Sequence, residues 1–326
     1  MPARQRGPYI AKKGKLMTDT VKENSRGKSK ILWGFYIFAV ASSAACVILR
    51  LLVLIFDFDF NLGLYKPDAV LPQVFAAFLV FVIIALLFSI KIGNDARLPD
   101  KLPPVGRLLT FISALAGFSM LATVAMQLIM KVSFEITLTG WKSTLASGLE
   151  LAMQVFALPT ALYFIVMAVR QNPYRASTAA LGFFPVLWAV AYLMCVYFDT
   201  STTLNNPLRI LEQASLVVVM AYLLMELRCL VGKARPNLYI PFGMILMVMV
   251  ASSSLPTFLL TIARRMNLSV DTMFDATKIC IAVYAAVRVA DMIKSAGKTP
   301  NLGGQGEGLF EPADQEKEQD EPSGEE

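Results

Sequence analysis

Residues 70–90 run VLPQVFAAFLVFVIIALLFSI, a stretch that contains no Asp, Glu, Lys or Arg. An apolar run of 18 or more residues is typical of a helix that spans a bilayer, whose hydrocarbon core is about 30 Å thick. Similar runs recur along the chain between residues 31 and 293. The sequence therefore predicts a membrane protein with several spans.

The composition of the whole chain agrees with this prediction. Of the 326 residues, 56% are hydrophobic and 17% are charged. Soluble domains are nearer 45–50% apolar and about 25% charged. These values exclude an ordinary soluble enzyme, a secreted disulfide scaffold and a nucleic-acid-binding domain.

We predict an all-α integral membrane protein, a bundle of about eight transmembrane helices. The last candidate is the least apolar because it contains Lys278, Arg288 and Asp291. Seven spans plus an amphipathic helix is therefore the alternative. The eight candidates are Ile31–Phe56, Val70–Ile90, Leu108–Met130, Leu149–Val169, Thr178–Phe198, Leu208–Leu230, Tyr239–Ala263 and Thr272–Ile293.

The distribution of basic residues predicts the orientation. Lys and Arg concentrate in the first 30 residues and in alternate loops at 91–107, 170–177 and 227–238. Basic loops remain in the cytoplasm. We therefore expect cytoplasmic N- and C-termini in a plasma membrane, with the bacterial cytoplasmic membrane favoured. The loop with Arg264 and Arg265 fits this scheme badly.

The two ends of the chain carry opposite charge. Residues 1–30 hold nine Lys or Arg against two acids, and residues 299–326 hold nine Asp or Glu against one Lys. Segments of high charge and low hydrophobicity do not fold alone. We expect a disordered basic cytoplasmic tail at 1–30, the helical bundle at 31–293 and a disordered acidic cytoplasmic tail at 294–326.

A weak internal similarity suggests a 4+4 parallel repeat with halves 31–169 and 178–293. An offset of four spans would give both halves the same orientation, as in some transporters. Chance similarity between apolar segments is the alternative. The matching residues, 140 positions apart, are Leu64 and Leu204, Pro67 and Pro207, Leu71 and Leu211, and Gln73 and Gln213.

The residues for common catalytic and metal chemistry are missing from the sequence. The chain has no His, and its four Cys form no C-x-x-C pair. It also has no phosphate-binding P-loop, no G-x-S-x-G elbow and no H-E-x-x-H helix. We therefore predict no catalytic, cofactor-binding or metal-binding residue. A membrane-embedded enzyme would need paired carboxylates or Lys, and no such pair has persuasive spacing.

Polar residues within the spans mark a candidate pocket. A charge at mid-bilayer costs about 2.5–3.5 kcal/mol on insertion scales, so each needs a partner, a cavity or an interface. Helical spacing places Glu150 and Gln154 on one face, and Asp271, Asp275 and Lys278 on one stripe. With the predicted topology these groups collect in the outer half. The predicted pocket comprises Arg50, Glu150, Gln154, Glu212 and Lys278.

This pocket has a structural alternative. Its two acids and two bases could neutralise each other when empty and rearrange around a zwitterionic or charged ligand. They could instead snorkel to the headgroups or pair structurally. On the inner side, we expect Glu226 to pair with Arg228 or the inner loops, and Arg288 to pair locally with Asp291.

Three functions remain open at this stage. The first is a non-enzymatic membrane protein, sensory or accessory, that binds a small polar ligand or another membrane protein through its outer half. The second is a secondary transporter of a small polar or charged solute. The third is a membrane-embedded enzyme. The expected partners are the lipid bilayer, a membrane protein and a small polar ligand, with no nucleic acid and no cofactor.

Overall fold

The protein is an all-α membrane protein. A computed structural model describes residues 9–59, 62–95, 102–133, 141–170, 174, 176–199, 206–263 and 270–296. Within these ranges, seven helical segments are long and apolar enough to cross a membrane. The only sheet among the described residues is a hairpin in which Phe58–Asp59 pairs antiparallel with Leu64–Tyr65.

The helices follow the predicted spans closely. The first span is the later part of α1 together with a π turn at Val53–Asp57. The helices are α1 Tyr9–Leu52, α2 Leu71–Leu87, α3 Ser89–Asp95, α4 Arg107–Ser133, α5 Trp141–Val169, α6 Ala176–Leu181, α7 Phe183–Phe198, α8 Pro207–Leu230, α9 Pro236–Ile262 and α10 Val270–Ala296.

Two predicted spans each consist of two helices. The fifth span breaks at Gly182 between α6 and α7. Pro185 has no backbone N–H to donate to the carbonyl of Leu181, so one helical hydrogen bond is missing next to this break. The second span breaks between α2 and α3, where the hydroxyl of Ser89 donates to the carbonyl of Leu86 at 2.6 Å.

Six helices form a closed ring. Each packs on the next in the order α4, α5, α7, α8, α9, α10 and back to α4. The last contact includes a 2.9 Å hydrogen bond between Thr123 and Thr277. Helices α1, α2 and α3 pack outside this ring, and all three contact α9. As a result α9 is the most buried helix, with apolar residues on every side.

Helix α10 is the exception among the long helices. Its 27 residues are enough to span a bilayer, but its charged residues keep it out of the seven apolar segments. It nevertheless packs against α9, α4 and α1. Both α8 and α10 flank α9, so long side chains on these two helices meet inside the ring.

The two ends of the ring are named here by the loops that cover them. At the Tyr65 end, the hairpin residue Tyr65 lies where α1 finishes and where α8 and α10 begin. At the Pro103 end, the segment that contains Pro103 lies where α8 and α10 finish. These positions follow from the contacts of Tyr65 with Arg50 and of Pro103 with Arg288.

The packing of the two halves does not repeat. Helix α8 packs closely on α9, whereas their counterparts in a parallel repeat, α2 and α4, form no comparable contact among the described residues. Similarly, α1 packs on α9, but α7 and α4 do not pack in this way. The helix packing therefore differs between the two halves in these pairs, and the repeat of 31–169 and 178–293 stays a prediction.

The basic N-terminal segment differs from its predicted disorder. Helix α1 begins at Tyr9, so residues 9–30 are helical. The sequence has no Pro between Pro8 and Pro67, and a helix that is already nucleated extends by one hydrogen bond per residue. The predicted acidic tail at 294–326 lies outside the described residues beyond Ala296.

Candidate functional site: a charged cavity at the Tyr65 end

A cavity of about 180 Å³ opens between α1, α8, α9 and α10. We call it the Tyr65-end cavity. Hydroxyl-bearing side chains from α9 and α10 form much of its remaining wall. The ionisable residues that line it are Arg50, Glu212, Asp271, Asp275 and Lys278.

Lys278 is the best-partnered charge in this cavity. Its side chain is only 1% exposed, and Nζ lies 2.9 Å from Glu212 Oε1 and 2.9 Å from Asp275 Oδ1. Its ammonium also lies 5.6 Å from the centre of the Tyr192 ring. Two carboxylates and an aromatic face therefore compensate for the burial of this cation.

The two carboxylates beside Lys278 are held by further hydrogen bonds. The Tyr192 hydroxyl donates to Glu212 Oε1 at 2.7 Å. The Thr257 hydroxyl donates to Asp275 Oδ2 at 2.6 Å. Glu212 is 31% exposed and lines the cavity, so the acidic side of this ion pair is more accessible than Lys278, which is 1% exposed.

Arg50 is placed differently from Lys278. Its guanidinium donates to the Tyr65 hydroxyl and lies 5.3 Å from the Phe75 ring centre. The residue is 1% exposed, yet its Nη2 has no hydrogen-bond partner. Arg50 makes no ion pair with any described residue. This buried donor is therefore available to a water molecule or an anion.

Local sequence signals position these side chains. The π turn and the hairpin that follow Arg50 bring Tyr65 back over the end of α1. Asn206 caps α8 by accepting a hydrogen bond from the backbone N–H of Leu208 at 2.9 Å, and Pro207 occupies the first helical position. Both features are typical helix starts, and they place Glu212 within the second turn of α8.

The structure brings together three of the five residues in the predicted pocket. Arg50, Glu212 and Lys278 line the Tyr65-end cavity, whereas Glu150 and Gln154 on α5 are not among its lining residues. Gln154 is buried and its Nε2 has no partner, and Glu150 is half-exposed. Their i,i+4 spacing placed them on one face of α5, but spacing does not show which neighbour that face meets.

Several residues of the cavity were absent from the predicted pocket. Asp271 and Asp275 line it beside Lys278, and their stripe on α10 was the available signal. Tyr65, Tyr192 and Thr257 are also important because they hold charged side chains in place. No pattern in the sequence identified these uncharged partners, since an aromatic or threonine in a span is common.

A second charged group lies at the other end of the ring. We call Glu226, Tyr284 and Arg288 the Pro103-end cluster. The Tyr284 hydroxyl donates to Glu226 Oε1, Arg288 Nε donates to the Tyr284 hydroxyl at 3.1 Å, and Arg288 Nε lies 3.9 Å from Glu226 Oε1. Glu226 is 1% exposed and Arg288 is 0% exposed. The cluster is thus sealed.

The pairs expected at this end were wrong. Arg288 pairs with Glu226 rather than with Asp291, and Asp291 lies 3.9 Å from Lys294 instead. The i,i+3 spacing of Arg288 and Asp291 permits a local pair, but Arg288 points into the ring. Glu226 pairs with α10 rather than with Arg228 on its own helix, because its face of α8 also lies inside the ring.

The Pro103-end cluster also anchors a loop. Arg288 Nη1 donates to the carbonyl of Pro103 at 3.2 Å. Nearby, the Tyr174 hydroxyl accepts from the backbone N–H of Leu102 and donates to its carbonyl at 3.3 Å. Burial raises the pKa of Tyr174 to about 12. These contacts hold the loop over the end of the ring.

The arrangement at the Tyr65 end suits the binding of a charged small molecule. Among the described residues, no group of three or more His, Cys, Asp or Glu could hold a metal ion. The four cysteines form no disulfide in the described part of the chain. What the cavity offers is a partly satisfied set of fixed charges and hydroxyl groups within a low-dielectric bundle.

The chain matches no family model, no curated protein and no solved structure in comparisons with known proteins.

Proposed function

We propose that the protein binds a small polar solute in the Tyr65-end cavity without converting it chemically. The observation that carries this proposal is a cavity between membrane helices that gathers five ionisable side chains. Ionisable groups are costly inside membrane spans and by default mark a binding site or a pathway. A role that requires only binding is sensory or accessory, with a second membrane protein as its natural partner.

We place the Tyr65 end on the outer side of a plasma membrane, the bacterial cytoplasmic membrane being favoured. Exposed Lys233 and Arg235 lie between α8 and α9 at the Pro103 end, as expected for a cytoplasmic loop. Ser29 at the start of the first span donates to the carbonyl of Ile293 near the end of α10 at 3.4 Å. This proximity supports an even number of crossings, and hence eight spans with both termini cytoplasmic.

Cysteine labelling tests this orientation. Lys66 and Lys233 are both exposed and lie at opposite ends of the bundle. We expect Lys66→Cys to react with a membrane-impermeant maleimide in intact cells, and Lys233→Cys to react only after permeabilisation. A background that lacks the four native cysteines serves as the control. Labelling of both positions from the same side would contradict the proposed orientation.

A thermal-shift screen tests the binding function. The purified protein in lipid nanodiscs is heated with single amino acids, dicarboxylates, polyamines and sugars, because a ligand that binds only the folded state stabilises it. We expect at least one solute to raise the melting temperature of the wild type and of Lys294→Met, but not of Lys278→Met. Lys294 is 63% exposed at the Pro103 end and is a matched control. Equal shifts in all three proteins would contradict the proposal.

The second candidate function is secondary transport. The observation in its favour is that α8 and α10 carry an acid–base pair at both ends of the ring, Glu212 with Lys278 and Glu226 with Arg288. Transport would require the Pro103 end to open, which breaks the contacts of Arg288 and Tyr174 with the 102–106 loop. Uptake into proteoliposomes of the solute with the largest thermal shift tests it. Binding without uptake favours the first function.

A further inference from the structure

The charges of the Tyr65-end cavity are partnered unequally. Lys278 is shared by Glu212 and Asp275, each at 2.9 Å. Within the described part of the chain, the partners of Arg50 are the neutral Tyr65 hydroxyl and aromatic faces. Asp271 lines the same cavity and makes no hydrogen bond or ion pair with a described residue. Among the described residues, one cation and one anion of this cavity, Arg50 and Asp271, therefore make no ion pair.

We infer that the ligand is a small zwitterion, with its carboxylate on Arg50 and its ammonium on Asp271. This inference rests on the proposed binding function and specifies the ligand class. A ligand of this kind gives each unpartnered charge its complement and leaves the Lys278 pairs intact.

The anionic subsite follows from the geometry of Arg50. Phe75 and Tyr65 lie at 5.3 Å and 5.8 Å from its guanidinium carbon, so aromatic rings hold the group without neutralising it. Nη2 is buried and has no partner. The fork of a guanidinium matches the two oxygens of a carboxylate. Lys278 cannot take this role, because both of its carboxylate partners would first have to leave.

The rest of the wall limits the charge and size of the ligand. Glu212, Asp271 and Asp275 outnumber the two cations of the cavity, so a ligand with two negative charges, such as a phosphate monoester, would be repelled. Cavities that hold drug-sized ligands are about 300–1,000 Å³. A cavity of about 180 Å³ therefore fits a molecule of amino-acid size.

The cationic subsite lies at the open part of the cavity. Asp271 is exposed, and it shares one stripe of α10 with Asp275 and Lys278. Asp275 is already engaged by Lys278 and Thr257. Asp271 is thus the acid available to an incoming ammonium group, and it requires no existing contact to break.

Matched ligands test this assignment directly. The probes are L-alanine, L-valine and L-leucine, each compared with its amide and with the carboxylate that lacks the amine: propionate, isovalerate or isocaproate. Affinities are measured by calorimetry on wild-type protein in nanodiscs. We expect at least one amino acid to bind about 10- to 100-fold more tightly than either of its analogues, the effect of one charge-assisted hydrogen bond.

Two variants assign the two charges to their residues. Asp271→Asn is expected to remove the preference for the amino acid over its deaminated carboxylate. Arg50→Lys keeps the charge but removes the planar fork of the guanidinium. It is expected to lower the affinity for the amino acid about tenfold or more. Asp291→Asn, at the other end of α10, is the matched control and is expected to bind as the wild type does.

The outcomes separate this inference from the proposed function. If isovalerate binds as tightly as valine, and Asp271→Asn has no effect, the zwitterion assignment is overturned while binding in the cavity stands. If none of the three amino acids binds, the assignment is also overturned. If amino acids bind equally well to the wild type and to Lys278→Met, the cavity itself is not the binding site and both proposals fail.

Discussion

Helices α8 and α10 are bridged by two acid–base pairs with contrasting surroundings. At the Tyr65 end, Glu212 meets Lys278 beside a cavity and is 31% exposed. At the Pro103 end, Glu226 and Arg288 are both at most 1% exposed. An acid–base pair between α8 and α10 thus occurs once beside an open cavity and once in a fully buried position.

This difference assigns different roles to the two pairs. A sealed pair must compensate for its own desolvation, so the loss of one partner leaves a buried charge. A pair beside a hydrated cavity can exchange a partner for water or for a ligand at a lower cost. We therefore expect the Pro103-end cluster to matter most for stability and the Tyr65-end cavity to matter most for binding.

The largest expected effect is on the sealed pair. Arg288→Met leaves Glu226 without its cation and should lower the free energy of unfolding by about 3–5 kcal/mol. Reversible denaturation in mixed micelles measures this value. The double variant Glu226→Met with Arg288→Met should recover most of the loss, because a buried pair can often be replaced by apolar groups. A loss below about 1 kcal/mol for the single variant would contradict the distinction drawn here.

The second prediction concerns the close packing beside the sealed pair. A Cβ on Gly243 would clash with Val289 Cγ2 on α10. Gly243→Ala should therefore destabilise the protein by about 1–3 kcal/mol, the usual effect of overpacking. Gly34→Ala is the control, since a Cβ at Gly34 meets nothing within 4 Å, and Ala favours a helix over Gly. Equal stability of the two variants would show that α9 and α10 can separate easily.

The third prediction concerns Lys278, whose replacement should affect ligand binding more than stability. Lys278→Met leaves Glu212 and Asp275 uncompensated in the cavity wall, so it should weaken the binding of a carboxylate-bearing ligand. It should lower the free energy of unfolding by only about 1–2 kcal/mol, since Glu212 borders an open cavity. The same denaturation assay, together with calorimetry, compares this variant with Arg288→Met. If Lys278→Met is as unstable as Arg288→Met, the two ends are energetically alike and the comparison fails.

The smallest expected effect is the loss of one interhelical hydrogen bond at the cavity. Thr257→Val removes the donor to Asp275 Oδ2 and should lower the free energy of unfolding by about 0.6 kcal/mol, the average for such bonds in membrane proteins. Thr261→Val is the control, because the Thr261 hydroxyl donates at 3.0 Å to the carbonyl of Thr257 on its own helix. A larger loss in Thr261→Val would show that the bond to Asp275 adds little.

The sequence was most informative about which segments lie in the membrane. Apolar runs such as residues 70–90 have one stable environment, so hydropathy alone located the seven apolar spans. It did not locate the breaks at Gly182 and Phe88, because a span with a break has the same hydropathy as one without. It also left α10 ambiguous, since charges that face a ring interior and charges that face water look alike in sequence.

The candidate site was only partly predictable. Asp271, Asp275 and Lys278 share a stripe that helical spacing gives directly. The partner of that stripe, Glu212 on α8, depends on the packing of both helices on α9, which no local pattern encodes. Glu150 and Gln154 show the converse. Their spacing places them on one face of α5, but neither residue lines the cavity. Charge spacing predicted faces of helices but not which faces meet.

The π turn at Val53–Asp57 determines the direction in which the chain leaves α1. Each added residue turns a helix by about 100°, and a π turn accommodates one residue more than a regular turn. Deleting one residue from this turn would restore the regular phase and swing the hairpin around the helix axis. Tyr65 would then move away from Arg50, and the guanidinium would lose the Tyr65 hydroxyl as a hydrogen-bond partner. A single backbone irregularity therefore sets the position of Tyr65 against Arg50.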